Sequence, residues 1–420
     1  MKFLVLIIFT LVSFSLYSQD TLRMMHYNLL MYGDNYGGCT SSNNNIDNKN
    51  GYLNTIVEYV KPDILTVNEI YRTSFYHEYL MTNALNINGV DYYEMGNPSN
   101  SSNSPIVNQV FYNSHKLLLL DHYAIMTNYR DIDIFRFEYN IQGPHEPVYL
   151  NCVIAHLKAG NSSASERAFE TGKLMDYLDD INASGNYTMS GDFNVYSSSE
   201  QAFQNLLFDP DESIRFYDPI NTLGAWNNNS YFSDVHTQST HTSGDCFSGG
   251  GMDDRFDFIL ISDEIKNGDD KMEYINGSYT ALGQDGNHFN KSLIESPTNN
   301  AVPNNVLQAL YNMSDHLPVV MDLLIEKDLG INDLGSFGLC LTFQNPVSDN
   351  MELKVTAEKD EALTFEILNL HGKRLYSETK KILQGSNRFS IPVSKMKPGM
   401  YLLRIVKDMN VISMEKVIKR

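Results

Sequence analysis

The 420-residue sequence is poor in cysteine and, after its first residues, in long apolar runs. It has four cysteines, none of them in a Cys-x-x-Cys pair, so a zinc or redox site built on thiolates has little support. After residue 19, no apolar stretch approaches the length of a membrane-spanning helix. The sequence therefore predicts a soluble mature protein without stable membrane insertion.

Basic residues are also scarce, and the deficit lies in the first 340 residues. Lysine and arginine total 31 against 51 Asp and Glu, a net charge of −20. Residues 341–420 carry 14 basic against 9 acidic residues, which leaves 17 against 42 in residues 1–340. The acidic residues 1–340 repel a polyanion at long range and attract divalent cations. The charge disfavours tight DNA binding through a basic surface, and it marks a boundary near residue 340.

Residues 1–19 have the layout of a secretory signal peptide. Lys2 precedes the apolar run FLVLIIFTLVSFSL, and the small polar stretch YSQD follows. Export would place the cysteines in an oxidising compartment, where they allow up to two disulfides. Their spacing leaves three pairings open if all four are used, and buried free thiols are the alternative.

Helix and strand patterns alternate through residues 20–326, the predicted catalytic domain. Apolar residues at helical spacing precede Pro62, a short apolar strand covers residues 64–67, and residues 164–181 form an amphipathic helix. Further apolar strands alternate with loops, which predicts sheets covered by helices. A Gly-containing linker at residues 327–342 leads to short alternating strands in residues 343–420, typical of a small all-β sandwich.

Polar side chains recur where apolar strands end, the position at which α/β architectures bind ligands. A carboxylate inside the apolar strand RFDFIL costs several kcal/mol unless it is paired or binds metal. The candidate residues of this kind are Asn28, Glu69, His156, Asp192, Asn194, Asp257, Asp315 and His316.

Each candidate also has an ordinary structural interpretation. The segment Gly-Asp-Phe-Asn, residues 191–194, is also typical of a turn stabilised by side-chain hydrogen bonds to the backbone. In the same way, Asn28 is compatible with a turn, Glu69 with a surface charge, His156 with a core histidine and Asp315 with a cap. The shared location at strand ends favours a common site.

The residue types in this set restrict its chemistry. Oxygen donors without thiolates suit a hard cation, Mg²⁺ in the first place, with Mn²⁺ or Ca²⁺ as alternatives. Two histidines with acidic neighbours suit general acid–base catalysis, since imidazole titrates near neutrality. A metal ion, a base and an amide that orients an oxygen together favour phosphoester hydrolysis.

The motifs HYNLL, VNEI, AHLKAG, SGDFN, RFDFIL and SDHLPVV resemble, in this order, those of the endonuclease/exonuclease/phosphatase superfamily, in particular its deoxyribonuclease-like members. The resemblance covers about residues 21–325. It implies an α/β (α+β) fold, a four-layer α-β-β-α sandwich with the site at one edge of its two central sheets. It also implies that Glu69 binds the metal, with Asn28 beside it and Asp315 helping to hold the ion.

The resemblance implies catalytic roles for the other five residues. His316 matches the histidine that activates water, and Asp257 matches the carboxylate that orients it. Asp192 and Asn194 match the pair that binds and polarises the phosphate or the attacking water. His156 matches the second histidine, which donates a proton to the leaving oxygen.

The sequence departs from particular branches of the superfamily. Asn68 stands where nucleases commonly have Gln, before the metal-binding glutamate. Ser190 and Val195 stand near the places of a Trp and an Arg expected in inositol phosphatases, which weakens a phosphoinositide substrate.

The segments NPVSDN, ILNLHGKRLY and MKPGMYLLRIV resemble the type A sorting domain of the type IX secretion system. The resemblance covers residues 343–420 and implies a secreted or cell-surface protein whose partner is the secretion machinery. The alternative is a β-sandwich that binds a ligand.

Together these features predict a secreted, divalent-metal-dependent phosphodiesterase, expected to be a monomer. Its predicted substrate is nucleic acid, as a nuclease acting on extracellular DNA or RNA. The second hypothesis keeps the fold and changes the substrate to small phosphoesters or lipid headgroups. The third is a non-enzymatic surface binding protein.

Overall fold

A computed structural model describes residues 18–139, 147–327, 339–343, 345–369, 372–407 and 410–420. The predicted signal peptide lies outside the described residues except for its last two positions, and so does most of the predicted linker. Within the described ranges, none of the helices combines the length and the apolar character needed to cross a membrane. The described chain forms two compact units, residues 20–325 without the gap at 140–146 and the C-terminal residues from 339.

The first unit alternates strands and helices along the chain. Its elements are β1 (Ser18–Tyr32), α1 (Ile46–Val60), β2 (Ile64–Tyr71), α2 (Ser74–Leu80), β3 (Tyr93–Met95), β4 (Ile106–Asn113), β5 (Leu117–Ile125), β6 (Ile132–Tyr139), β7 (Val148–His156), α3 (Ala164–Asp180), β8 (Tyr187–Asp192), α4 (Gln201–Leu207), β9 (Phe216–Tyr217), β10 (Asp257–Ser262), α5 (Asp263–Asn267), β11 (Met272–Tyr274), β12 (Thr280–Ala281), α6 (Asn304–Met313) and β13 (Val319–Lys327).

These strands form two sheets that pack face to face. The first sheet has the order β11-β13-β1-β2-β4-β3, with β12 also paired to β13, and the second sheet has the order β5-β6-β7-β8-β10-β9. β1 pairs with β2 and β7 with β8 in parallel, whereas the pairs β2–β4, β6–β7 and β8–β10 are antiparallel. β2 and β4 contact β6, β7 and β8 across the sandwich.

Helices cover the outer face of each sheet. Leu53 of α1 and Leu310 of α6 belong to one buried cluster with residues of the first sheet such as Leu65. Leu174 of α3 and Phe203 of α4 belong to a second cluster with residues of the second sheet, Phe258 among them. The predicted four-layer α-β-β-α architecture is confirmed.

The first helix shows how local sequence fixes an element. The Asn45 side chain accepts hydrogen bonds from the backbone N–H groups of Asp47 and Asn48, which caps the helix N-terminus. Lys61 ends the helix in the left-handed conformation, directly before Pro62. The break that the sequence predicted at this proline is confirmed.

The strand after this helix, β2, is longer than the predicted residues 64–67, and it contains a bulge. β1 and β2 pair in register up to Asn28 and Asn68, and pairing resumes at Tyr32 and Ile70. Three residues of β1 therefore lie opposite one residue of β2, Glu69, whose φ is 60°. The prediction that Glu69 lies just past the strand was wrong, since it lies inside β2 at this irregularity.

The second unit is a β-sandwich. Its strands are β14 (Leu339–Phe343), β15 (Asn350–Ala357), β16 (Glu361–Asn369), β17 (Arg374–Ile382), β18 (Gly385–Pro392), β19 (Gly399–Lys407) and β20 (Asn410–Lys419). They form an antiparallel sheet β14-β15-β18 and an antiparallel sheet β17-β16-β19-β20. Alternate residues of β15 are buried, as expected for a strand with one face on a core. The predicted C-terminal all-β domain is confirmed.

A disulfide joins Cys39 to Cys246, two residues 207 positions apart in the sequence. Cys152 is a buried free thiol, and the side chain of Cys340 lies outside the described residues. The bridge connects the loop before α1 to the long segment before β10. It resolves one of the pairings that the spacing left open.

We expect the disulfide to contribute to stability, because it closes a long loop in the unfolded chain. Replacing both Cys39 and Cys246 by Ser should lower the free energy of unfolding by roughly 2–5 kcal/mol. Urea denaturation with and without a reductant measures this loss. The Cys152→Ala variant is the control and should remain sensitive to reductant; equal midpoints for the wild type with and without reductant would contradict the expectation.

Candidate active site

One cleft collects most of the candidate residues at the same edge of the two sheets. His156, Asp192 and Asp257 are register neighbours at the ends of β7, β8 and β10. The cleft has a volume of about 350 Å³, and its lining includes Glu69, His156, Asp192, Asn194, Asp315 and His316. Asn28 and Asp257 are fully buried and form hydrogen bonds to lining residues.

Asn28 links the carboxylates of the two sheets. Its Nδ2 donates to Glu69 Oε1 at 3.2 Å and to Asp192 Oδ2 at 3.0 Å. Its Oδ1 accepts from the backbone N–H of Leu30 at 2.9 Å, and the N–H of Met31 donates to Glu69 Oε2 at 3.0 Å. Leu30 and Met31 have φ values of 47° and 49°, so the bulge turns their N–H groups toward these side chains.

A buried lysine, Lys49, stabilises this bulge, a role that was not predicted from the sequence. Lys49 Nζ donates to the carbonyl oxygens of Leu29 and Leu30 at 2.7 Å and to Asn44 Oδ1 at 2.5 Å. Burial lowers the pKa of Lys49 to about 7. A signal was present in the sequence, because Lys49 lies at helical spacing from the core residues Leu53 and Ile56.

Glu69, His156 and Asp192 form a cluster whose ligand atoms all lie within 4.8 Å of one another. His156 Nε2 is 3.8 Å from Glu69 Oε1 and 3.5 Å from Asp192 Oδ2. Burial raises the pKa of Asp192 to about 7, and nearby carboxylates add to this effect against the opposing His316. Burial, together with the positive charge of Arg130, lowers the pKa of His156 well below its usual value. A divalent cation would stabilise the charged carboxylate of Asp192 and would bind the neutral ring of His156.

The donor set fits a hard divalent cation. Glu69, Asp192 and Asp315 supply three carboxylates to the cleft lining. Asp315 Oδ1 is buried and has no hydrogen-bond partner among the described residues, but Asp315 is not part of the cluster that Glu69, His156 and Asp192 form. The amide oxygen of Asn28 is already bonded to Leu30, which leaves Asn28 as a link between carboxylates in this arrangement.

His316 and Asp257 form a hydrogen-bonded pair at the side of the cleft. His316 Nδ1 lies 2.7 Å from Asp257 Oδ2, and His316 Nε2 lies 3.7 Å from Asp192 Oδ2. Burial alone would lower the pKa of His316, but Asp257 and Asp192 outweigh it and raise the pKa well above its usual value. The carboxylate of Asp257 holds the Nδ1 proton, so Nε2 is the nitrogen that faces the cleft.

Gln238 is a second residue that the sequence analysis missed. Its Nε2 lies 2.7 Å from His316 Nε2 and donates to Asp315 Oδ2 at 3.3 Å. The N–H of Ser248 also donates to Asp315 Oδ2, at 2.9 Å. Both residues belong to the polar segment 209–250, where no periodicity singles them out.

The Asp192–Asn194 segment combines the two interpretations of its sequence. Asn194 adopts a φ of 53°, and its backbone N–H donates to Asp192 Oδ1 at 3.1 Å. The intervening Phe193 is fully buried and stacks on Phe258. Asp192 and Asn194 therefore share the cleft because of a turn, the ordinary structural interpretation of this segment, which here also serves the site.

Solved structures of similar fold include endonuclease/exonuclease/phosphatase family proteins, the Nocturnin catalytic domain and TDP2. One from Bacteroides vulgatus is 14% identical, covers 73% of this chain and 100% of its own, and has a TM-score of 0.47. The human Nocturnin catalytic domain with a bound sulfate anion is 15% identical, with coverages of 73% and 97% and a TM-score of 0.44. D. rerio TDP2 complexed with single-strand DNA product is 14% identical, with coverages of 72% and 99% and a TM-score of 0.45.

A comparison with curated proteins gives no match. Residues 342–420 match the family described as the secretion system C-terminal sorting domain. Three short segments of the sequence predict the same domain, and that prediction is confirmed. The C-terminal unit of this chain therefore belongs to the secretion system C-terminal sorting domain family, and the protein is exported by type IX secretion to the cell surface or beyond.

Proposed function

We propose that the protein is a secreted, divalent-metal-dependent phosphodiesterase, and specifically a nuclease acting on extracellular DNA or RNA. The observation that carries the proposal is the environment of Asp192 Oδ2. His316 Nε2 lies 3.7 Å from this oxygen, His156 Nε2 lies 3.5 Å from it, and Asn28 donates to it. The carboxylate of Asp192 thus lies beside the proposed base, His316, and also belongs to the cluster of proposed cation ligands.

In this proposal Glu69, Asp192 and His156 hold the cation, with Asp315 beside them. The bound cation supplies charge neutralisation at the phosphate. His316 Nε2 accepts the proton of the attacking water, and Asp257 stabilises the imidazolium that forms.

The amide of Asn194 binds a phosphate oxygen. A neutral His156 suits the role of a cation ligand, since burial disfavours the charged ring that a proton donor requires.

The charges around the cleft favour a phosphodiester over a phosphomonoester. None of the lining residues in the described part of the chain is lysine or arginine. Arg130 lies nearby, but its guanidinium donates to the carbonyl oxygens of His156 and Leu157. A diester carries one negative charge, whereas a monoester carries nearly two at neutral pH. A cleft whose lining lacks lysine and arginine suits the lower charge.

Tyr36 at the cleft supports a nucleotide substrate. Its side chain lines the cleft yet is 68% exposed. The backbone N–H of Cys39 donates to the carbonyl of Tyr36 at 3.1 Å, so the disulfide partner Cys39 restrains this loop. An exposed ring beside a phosphate site offers a stacking surface for a base, a contribution of roughly 1–3 kcal/mol.

The first test is the loss of His316. We expect His316→Ala to cut turnover of plasmid DNA at least about 10²-fold, because the base is removed. EDTA should abolish the wild-type activity. The substrate panel includes RNA, cyclic nucleotides, inositol phosphates and sphingomyelin, and circular dichroism checks the fold. Near-normal cleavage by a folded His316→Ala variant would overturn the assignment of the base.

The second test is the pH dependence of Asp257→Asn. Asp257 raises the pKa of His316, so its neutralisation should lower that pKa and move the acidic limb of the kcat/KM profile to lower pH. Maximal turnover should also fall, by about 10²-fold or more, because Asn does not stabilise the imidazolium. Asp253→Asn, in the same segment but outside the cleft lining, is the control. An unmoved limb in Asp257→Asn would contradict the pairing.

The third test addresses the base-stacking role of Tyr36. Thymidine 5′-(4-nitrophenyl phosphate) and 4-nitrophenyl phosphorylcholine share a leaving group and differ in the presence of a base. Tyr36→Ala should reduce kcat/KM about tenfold for the thymidine substrate, with little change for the choline substrate, and Tyr36→Trp should retain activity. Equal effects on the two substrates would argue against a nucleotide-binding role.

A further inference from the structure

A line of buried polar side chains joins the back of the His316–Asp257 pair to the interior of the sandwich. His26 Nε2 lies 3.8 Å from Asp257 Oδ1, and His26 Nδ1 lies 3.0 Å from Thr66 Oγ1. Thr66 Oγ1 in turn lies 2.8 Å from Ser190 Oγ. All four side chains are essentially inaccessible to solvent. The line crosses between the sheets, since His26 and Thr66 belong to the first sheet and Ser190 and Asp257 to the second.

Two atoms in this line face each other without other partners. Among the described residues, neither His26 Nε2 nor Asp257 Oδ1 has a hydrogen-bond partner, and both are buried. An unpaired buried polar group costs roughly 1–3 kcal/mol, and more when it is charged. One group is a ring nitrogen and the other a carboxylate oxygen, so they are chemically complementary. A small side-chain movement or one shared water would join them across 3.8 Å.

One assignment of protons satisfies the whole line. With its proton on Nε2, His26 donates to Asp257 Oδ1 and accepts at Nδ1 from the hydroxyl of Thr66. The oxygen of Thr66 then accepts from the hydroxyl of Ser190. In this arrangement each oxygen of Asp257 faces a histidine, His26 on one side and His316 on the other.

The surroundings of Asp257 make such a restraint necessary. A cavity of about 230 Å³ borders Asp257, with Thr237, Tyr279 and Val319 in its lining. Thr237 Oγ1 accepts the backbone N–H of Asp257, and the carboxylate itself is held through Oδ2 by His316. Rotation of the carboxylate plane would weaken the bond to His316, because it would move Oδ2 away from Nδ1.

We propose that His26 is a positioning residue for the reaction, which acts through Asp257 by holding its carboxylate in the orientation that presents Oδ2 to His316. The proposal rests on the proposed function, because it assumes that His316 is the base. Asp257 Oδ2 already lies 2.7 Å from His316 Nδ1, the geometry that His26 would maintain.

The test compares two substitutions of His26. His26→Leu removes the donor, and we expect kcat for thymidine 5′-(4-nitrophenyl phosphate) to fall about 10- to 100-fold with KM nearly unchanged, as for other residues that orient a reacting group. His26→Gln places an amide N–H near the position of Nε2 and should restore most of kcat. The Nδ1 proton of His316, bonded to Asp257, should give a downfield proton resonance in the wild type and His26→Gln, and this resonance should shift or vanish in His26→Leu.

His77 provides a matched control. It is also a buried histidine of the first unit, and it contacts the carbonyl of Tyr71 and the side chain of Gln109. His77→Leu should lower stability while kcat and the His316 resonance stay unchanged. If His26→Leu behaves in the same way, His26 is merely structural and the proposal is overturned.

Thr66→Val covers the case in which His26→Leu fails to fold. It removes the hydroxyl that orients the ring of His26, and it should shift the resonance and lower kcat in the same direction by a smaller factor. An unchanged resonance and kcat in Thr66→Val would then overturn the proposal. If the wild type hydrolyses no phosphodiester with Mg²⁺ or Mn²⁺, the proposed function fails, while the resonance still tests the link from His26 to His316.

Discussion

The buried carboxylate of Asp192 is the constraint on which the site depends. It lies at the end of β8, where Asn28, His156 and His316 approach from three different strands or loops. Removing a carboxylate from water costs several kcal/mol unless nearby charges and donors compensate. The polar side chains around Asp192 supply part of that compensation, and a divalent cation would supply the rest. The geometry of the cleft follows from this requirement.

The fold meets the requirement with a backbone irregularity rather than with a regular strand. Left-handed residues at Leu30, Met31 and Glu69 each carry a conformational cost, typically about 1 kcal/mol or more. Hydrogen bonds from the bulge to Asn28 and Glu69, and from Lys49 to the carbonyls of the bulge, hold this conformation. The N–H groups of the bulge therefore fix the side chains of Asn28 and Glu69 at the sheet edge. Fixed carboxylates suit the binding of a cation, and the cation in turn suits the binding of phosphate oxygens.

The sequence predicted the features that depend on local pattern and missed those that depend on closure of the sandwich. The strand that begins at Ile64, the helix break at Pro62 and the C-terminal domain follow from residues close together in the chain, whereas the predicted end of that strand was wrong because of the bulge at Glu69. The pairing of Cys39 with Cys246 and the contact of Gln238 with His316 join segments far apart, so no spacing rule indicates them. Lys49 was detectable in principle, because a lysine on the apolar face of a helix needs buried acceptors.

Calorimetry of Mn²⁺ binding to the metal-free protein is the sharpest test of the cation site, because it does not depend on the substrate. We predict that the wild type binds Mn²⁺ at the Asp192 cluster and that Asp192→Asn weakens this binding by about tenfold or more. Equal affinities for the two proteins, or no binding to the wild type at millimolar Mn²⁺, would contradict it.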